Sequence, residues 1–352
     1  MKDIQLSFIL CVLTILLIVS GCREVPVEDQ PFVKHVAPKI EKPKPVIERL
    51  VIPVQSDGEI KPENDVRDTM DAEIKEFIHT HIFWAGKFSL LIAYDYSIKH
   101  TMWKKDSDKP MIDQYESKLE YIWLNPVGIQ KKLRYGADFI FISTDNKNFF
   151  SPSDVNFLND GYSRIYLPET ILVDQFSKYQ QFVKPYTSTN VDNLKFVTTP
   201  SQVSGVSGLE NWRKGVGYLF ELQSAKDKYK SYKIWYTGPI DNNILPEGVK
   251  SRKDLRELQI KTFKYPGSTS DDASYMHDVD VIVVPIADPS KISPRKLDIL
   301  AGYLNAKVIY FIGADLMDEE QKNKFIESMS KNARTPLWLP EIATSLKSET
   351  KE

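Results

Sequence analysis

Asp280-Val281-Ile282-Val283-Val284-Pro285 narrows the choice of fold more than any other stretch, because it is β-branched and apolar without alternation. A strand with one wet face shows polar residues at every second position. This one shows none, so it must be covered on both faces, as in a parallel sheet between layers. Its surroundings repeat the theme: a strand over 232–236 closes at Thr237-Gly238-Pro239, and a second over 307–312 closes at Gly313. Ser293 followed by Pro294 is a cap and first-turn proline for a helix to 304. Asp318 with Gln321 opens a helix over 319–329 as a capping-box pair. Periodicity further predicts helices over 209–226 and 252–258 and a strand over 260–265. Strand and helix in turn argue an α/β unit over 209–340, Rossmann-like and three-layered, with a mostly parallel sheet and right-handed crossovers.

Upstream, residues 65–200 read as a mixed α/β or α+β unit. Asp68 or Thr69 caps a helix carrying Met70, Ile74, Phe77 and Ile78 on one face. Short apolar runs over 88–94, 139–142 and 165–167 read as strands. Tyr115, Leu119 and Ile122 give 112–123 a helical period, ended by Asn125-Pro126. The small, polar stretch 201–208, with two glycines, is the internal boundary. Residues 341–352 are a polar tail.

The start of the chain decides its compartment. A charged start at Lys2, an apolar run from Phe8 to Val19 and then Val19-Ser20-Gly21-Cys22 make a secretory leader over 1–21. The four-residue motif resembles the lipobox of bacterial lipoproteins. The resemblance implies cleavage after Gly21 and acylation of Cys22, which becomes the attachment to membrane lipid. Arg23 in place of aspartate after that cysteine implies sorting to the outer membrane, facing the periplasm. The competing reading is an uncleaved helix, at the lower length limit for spanning a bilayer. From 22 to 64, prolines interleaved with charges predict an extended tether; 25 residues at ~3.1 Å each reach about 80 Å. Residues 49–54 are alternatively an edge strand of the folded part.

Of two cysteines, Cys11 leaves with the leader and Cys22 is acylated, so no disulfide is available and a packed core must hold the fold. The leader removes one lysine and one aspartate, so the formal charge stays at -2. That balance gives nucleic acid no electrostatic footing.

Motifs for chemistry are few. Gly215-Val216-Gly217 lacks a third glycine and no Gly-Lys-Ser/Thr loop exists, so no nucleotide cofactor is expected. Asp145-Asn146-Lys147-Asn148 fails as a calcium loop, with lysine at a ligand position and no glycine. His79 and His81, with His100, have metal-like spacing if they lie on strands; a helix before His79 argues for ordinary surface or core histidines. Strand ends delivering Gly238, Asp241 and Asp288, with Asp298 on the following helix, would form a polar cleft at the carboxyl edge, or serve only as helix caps. The order of Tyr236-Thr237-Gly238-Pro239-Ile240, the strand to Val284 and a helix bearing Gly302-Tyr303 resembles nucleoside deoxyribosyltransferase-like proteins. The family's glutamate before Gly-Tyr has no counterpart here; the nearest acid is Asp298. The aromatic residues Phe83, Trp84, Phe88, Tyr94, Tyr96, Trp103, Tyr121 and Trp123 suit a core and interface, or stacking on sugar rings. Anchor, reach and missing catalytic signature together predict a non-enzymatic structural or assembly component of a secretion, conjugation or pilus complex, with protein partners. The alternative is an envelope ligand-binding protein or enzyme using the carboxyl-edge cleft.

Overall fold

The structure is a computed structural model that describes residues 50–53, 59–60, 70–103, 111–129, 136–171, 176–185, 187–191, 194–201, 215–223, 230–240, 250–251, 253, 278–286, 288–340 and 346–349. All of them lie within one compact unit, Arg49–Glu352. The leader, Gly21, Cys22 and nearly all of the tether lie outside the described residues, as do Asp241 and the elements expected over 252–258 and 260–265, Lys253 apart.

In chain order the strands are β1 (Leu50–Pro53), β2 (Glu59–Ile60), β3 (Ile82–Gly86), β4 (Ser89–Trp103), β5 (Met111–Leu124), β6 (Phe139–Phe141), β7 (Arg164–Pro168), β8 (Gln180–Val183), β9 (Ser188–Val191) and β10 (Leu194–Pro200). They continue as β11 (Val216–Gln223), β12 (Ser231–Tyr236), β13 (Val281–Pro285), β14 (Val308–Ile312), β15 (Leu337–Trp338) and β16 (Leu346–Glu349). The helices are α1 (Ala72–His81), α2 (Pro152–Leu158), α3 (Pro294–Tyr303) and α4 (Glu319–Asn332).

Three sheets result. A six-stranded sheet runs β3-β4-β5-β6-β7-β8, antiparallel through β5 and parallel beyond it. An eight-stranded sheet runs β2-β15-β14-β13-β12-β11-β10-β9, parallel only from β12 to β15. β1 and β16 pair with each other, so residues 346–349 of the expected polar tail form a strand.

The α/β class is as the sequence predicts, and β12, β13, β14, α3 and α4 form where expected. What differs is the layering. The inner faces of the two large sheets pack on each other: Ile122, Phe139, Phe141 and Tyr166 of one share a core with Phe196, Tyr218, Phe220, Tyr236 and Val283 of the other. Helices α3 and α4 cover the outer face of the eight-stranded sheet. Helix α2 covers the outer face of the six-stranded sheet through Val155 and Leu158. The far side of the expected parallel sheet thus meets a second sheet rather than helices, and four layers replace three. The segments 65–200 and 209–340 share this core, and β9 and β10 of the first belong to the sheet of the second.

Two expected helices are strands. Residues 112–123 form β5, paired with β4 at every position from Trp103 with Met111 to Leu90 with Leu124. Within 209–226, residues 216–223 form β11, paired on both sides. A local 3.6-residue period yields here to two ladders of hydrogen bonds that a helix would leave unmade. Most of the described aromatic residues of the middle region are core: Phe83, Trp84 and Trp123 are fully buried, Phe88 and Tyr94 nearly so, and Tyr121 packs half-buried against the core.

Candidate functional site

The strand ends of both sheets meet at one edge. β6 runs out into Ser143-Thr144, β10 into Ser201, β12 into Thr237-Gly238, and β14 into Gly313. These ends are joined directly: the Val216 N–H donates to the Ser143 carbonyl at 2.8 Å, and the Ser201 N–H to the Gly215 carbonyl at 3.2 Å. Gly238 lies at φ 70°, and a Cβ there would stand 2.5 Å from the Val216 carbonyl oxygen and 3.1 Å from the Ser201 Cβ. Only glycine combines that backbone with that approach.

Behind the edge sits a buried polar network. Asn125, at φ 46°, accepts from the Ser143 N–H at 2.7 Å and donates to the Ser143 hydroxyl at 3.2 Å and the Tyr236 hydroxyl at 2.7 Å. Tyr236 donates on to the Phe88 carbonyl at 3.1 Å. Burial drives the Tyr236 phenol far above its ordinary pKa, against the pull of the Asn125 hydrogen bond, so it stays a neutral donor. Ser89 ties down the turn after β5 through the carbonyls of Asn125 and Val127.

In front of the network, Ser143, Thr144, Ser201 and Thr237 are all buried. Among the described residues the Ser201 hydroxyl finds no hydrogen-bond partner, and it faces the place where a Cβ on Gly215 would be, 3.2 Å away. Leaving a buried hydroxyl unmatched costs roughly 1–3 kcal/mol. The edge therefore offers the Ser201 hydroxyl to a polar group. Among the described residues it offers no buried acid or base for proton transfer.

The residues singled out in the sequence take other roles. Gly238 is at the edge. Asp288 caps a single 3-10 turn, accepting from the Ser290 N–H at 3.0 Å and the Ser290 hydroxyl at 2.6 Å. Asp298 accepts from the Arg334 N–H at 2.6 Å, fastening α3 to the chain after α4. Asp288 and Asp298 both make structural ties, while Asp241 lies outside the described residues. His79 and His81 both lie on α1, two residues apart, where side chains diverge. His79 meets the Trp338 ring edge-on at 4.9 Å, while His81 Nδ1 lies 2.8 Å from the Ala93 carbonyl. His100 lies on β4, and its side chain is outside the description. Sequence reasoning passed over Ser143, Thr144 and Ser201. The available signal was a polar Ser-Thr pair closing the apolar run 139–142.

No family model matches the chain, and no curated protein matches it. Solved structures with a similar arrangement include a metal-dependent hydrolase from Parabacteroides distasonis, 12% identical, covering 70% of this chain and 100% of that one at a TM-score of 0.41. A metallo hydrolase from Ignicoccus hospitalis is 11% identical, covers 77% and 98%, and has a TM-score of 0.42. A Zn-dependent hydrolase of the metallo-β-lactamase superfamily from Thermotoga maritima is 14% identical, covers 66% and 74%, and has a TM-score of 0.32. At these values the likeness describes architecture and transfers no activity. The expectation of a non-enzymatic assembly component, which finds no counterpart in these hydrolases, is corrected.

The metal in those names finds no matching ligands here. Among the described residues no three His, Cys, Asp or Glu side chains come together to hold an ion, and the edge carries hydroxyls, an amide and glycines instead. No step is derived through a metal.

Proposed function

We propose that this chain is an exported lipoprotein, held by acylated Cys22 to the periplasmic side of the outer membrane, whose folded part is an enzyme or ligand-binding protein working at the carboxyl edge of its two sheets. The observation that carries the reading is the Ser201 hydroxyl, buried between Gly215 and Gly238 with no hydrogen-bond partner among the described residues. Buried polar groups are almost always satisfied. A ligand with a polar group placed there would recover the hydrogen bond and convert a local cost into affinity. Leader and lipobox support the compartment, since two or more acyl chains anchor firmly.

The test uses the full mature chain in a panel of small polar ligands, read by thermal unfolding. A ligand at 100 times its dissociation constant stabilises by about 2.7 kcal/mol. The expected result is a ligand whose shift shrinks in Ser201→Ala and Thr144→Val. Shifts indifferent to both substitutions would place the working site elsewhere. Mass spectrometry of the native protein tests the anchor: an unmodified Cys22 would remove it.

A further inference from the structure

At the opposite edge, where β6 and β7 begin, a cavity of ≈ 130 Å³ opens between strands. Alternation along β5 and β7 puts Lys118, Glu120 and Arg164 on the same face as Ile122 and Tyr166, and the whole lining comes from the six-stranded sheet and its loops. Asp138, Asp160 and Tyr162 complete its wall. Three carboxylates thus stand against two cations. Lys118 is engaged with Glu120 at 3.1 Å, and the Arg164 guanidinium lies 6.0 Å from the centre of the Phe139 ring.

Tyr162, in the lining, already shares a cation with Tyr179, which lies outside the lining. Tyr162 and Tyr179 are among the most exposed large side chains, at 59% and 40%. The Lys178 ammonium stands 5.6 Å from one ring centre and 4.8 Å from the other. Exposed cation–π contacts are worth ~0.5–1 kcal/mol, weak enough for a tethered lysine to be displaced. Asp138 accepts from the Tyr121 N–H with Oδ2 at 2.9 Å, and Asp160 spends Oδ1 on the N–H groups of Tyr162 and Ser163. No bond to the second oxygen of either carboxylate occurs among the described residues. Burial lifts the Asp138 carboxyl above its usual value against the Tyr121 hydrogen bond, with Glu120 adding to the rise. A further cation beside it would oppose that rise, as Lys118 already does. The carboxylates do not converge closely enough for a metal ion. An ammonium group carries three N–H donors and can divide its contacts between a carboxylate and a ring face.

We propose that this amino-edge cavity is a binding site for an organic primary ammonium group, with Asp138 and Asp160 accepting its hydrogen bonds and the Tyr162 ring, with Tyr179 beyond it, on its outer side. The site is separate from the carboxyl edge.

The experiment is calorimetric titration of the full mature chain with 1,5-diaminopentane, with 1,5-pentanediol as the uncharged analogue and acetate as the anion. The diamine is expected to bind saturably and the other two not at all. Asp138→Asn keeps an acceptor for the Tyr121 N–H and is expected to weaken binding about tenfold, the equivalent of 1.4 kcal/mol. Lys178→Ala frees the rings and is expected to tighten it about threefold. Ser201→Ala should leave it unchanged. Equal binding of diol and diamine, preferential binding of acetate, no saturable binding, or affinity unaltered by both Asp138→Asn and Tyr162→Ala would each overturn the proposal.

Discussion

Asn125 is the residue on which the junction of the two sheets turns. Its backbone N–H donates to the Phe141 carbonyl at 2.8 Å, and its carbonyl takes the Ser89 hydroxyl at 2.7 Å. The side chain serves Ser143 and Tyr236 as described, while the backbone sits in the left-handed region that Asn tolerates better than other side chains. Asn125→Ala removes the shared amide and leaves the Ser143 N–H buried and unmatched. The expected loss is about 3 kcal/mol, the cost of unsatisfied buried groups plus left-handed alanine. Urea unfolding followed by tryptophan fluorescence measures it; a midpoint equal to that of the parent chain would show the network to be dispensable. None of this was legible in the sequence, where Asn125-Pro126 reads only as a stop. Its function depends on Tyr236, 111 residues away, and no local pattern encodes such a meeting.

The elements divide by how local their causes are. Helices α3 and α4 were legible because their caps are written in adjacent residues: Ser293 accepts from the Lys296 N–H at 3.4 Å and Asp318 from the Gln321 N–H at 2.7 Å. β13 was legible because burial on both faces leaves a sequence with no polar position. β5 was not. Tyr115, Leu119 and Ile122 fit a helix, yet in the strand Leu119, Tyr121 and Trp123 face one core while Ile122 and Leu124 face the other. A strand covered on both sides loses its alternation, and the remaining spacing mimics a helix. α3 provides the test at this scale. Ser293→Ala deletes the cap while Pro294 keeps the first turn, so a loss of about 1 kcal/mol is expected in the same urea assay. A loss near zero would mean that packing of Leu297, Leu300 and Ala301 on the sheet holds the helix start without its cap.

At the scale of the molecule, the two halves that the sequence suggests are halves of one core. Phe141 shows why. Its ring lies 5.0 Å from Tyr166 within its own sheet, and 4.9, 5.0 and 4.9 Å from Phe196, Tyr218 and Phe220 of the other. The Tyr218 hydroxyl reaches back to the Ile142 carbonyl at 2.7 Å, and that of Tyr94 to the Gln223 carbonyl at 2.5 Å. A fragment ending at residue 200 would keep Phe196 but lose Tyr218, Phe220 and β11, one of the two strands that pair with β10. Its inner face would then expose Ile122, Leu124, Phe139, Phe141 and Tyr166. At ~1.5–3 kcal/mol for each large apolar side chain, that exposure amounts to about 10 kcal/mol. Whole domains are stable by about 5–15 kcal/mol, so the loss consumes what the fragment would have. The fragment 65–200 is therefore expected to lack a cooperative transition, while the mature chain unfolds in one step with coincident tryptophan fluorescence and far-UV circular dichroism. A sigmoidal unfolding curve from the fragment, or two separated transitions from the mature chain, would show that the six-stranded sheet stands without its partner.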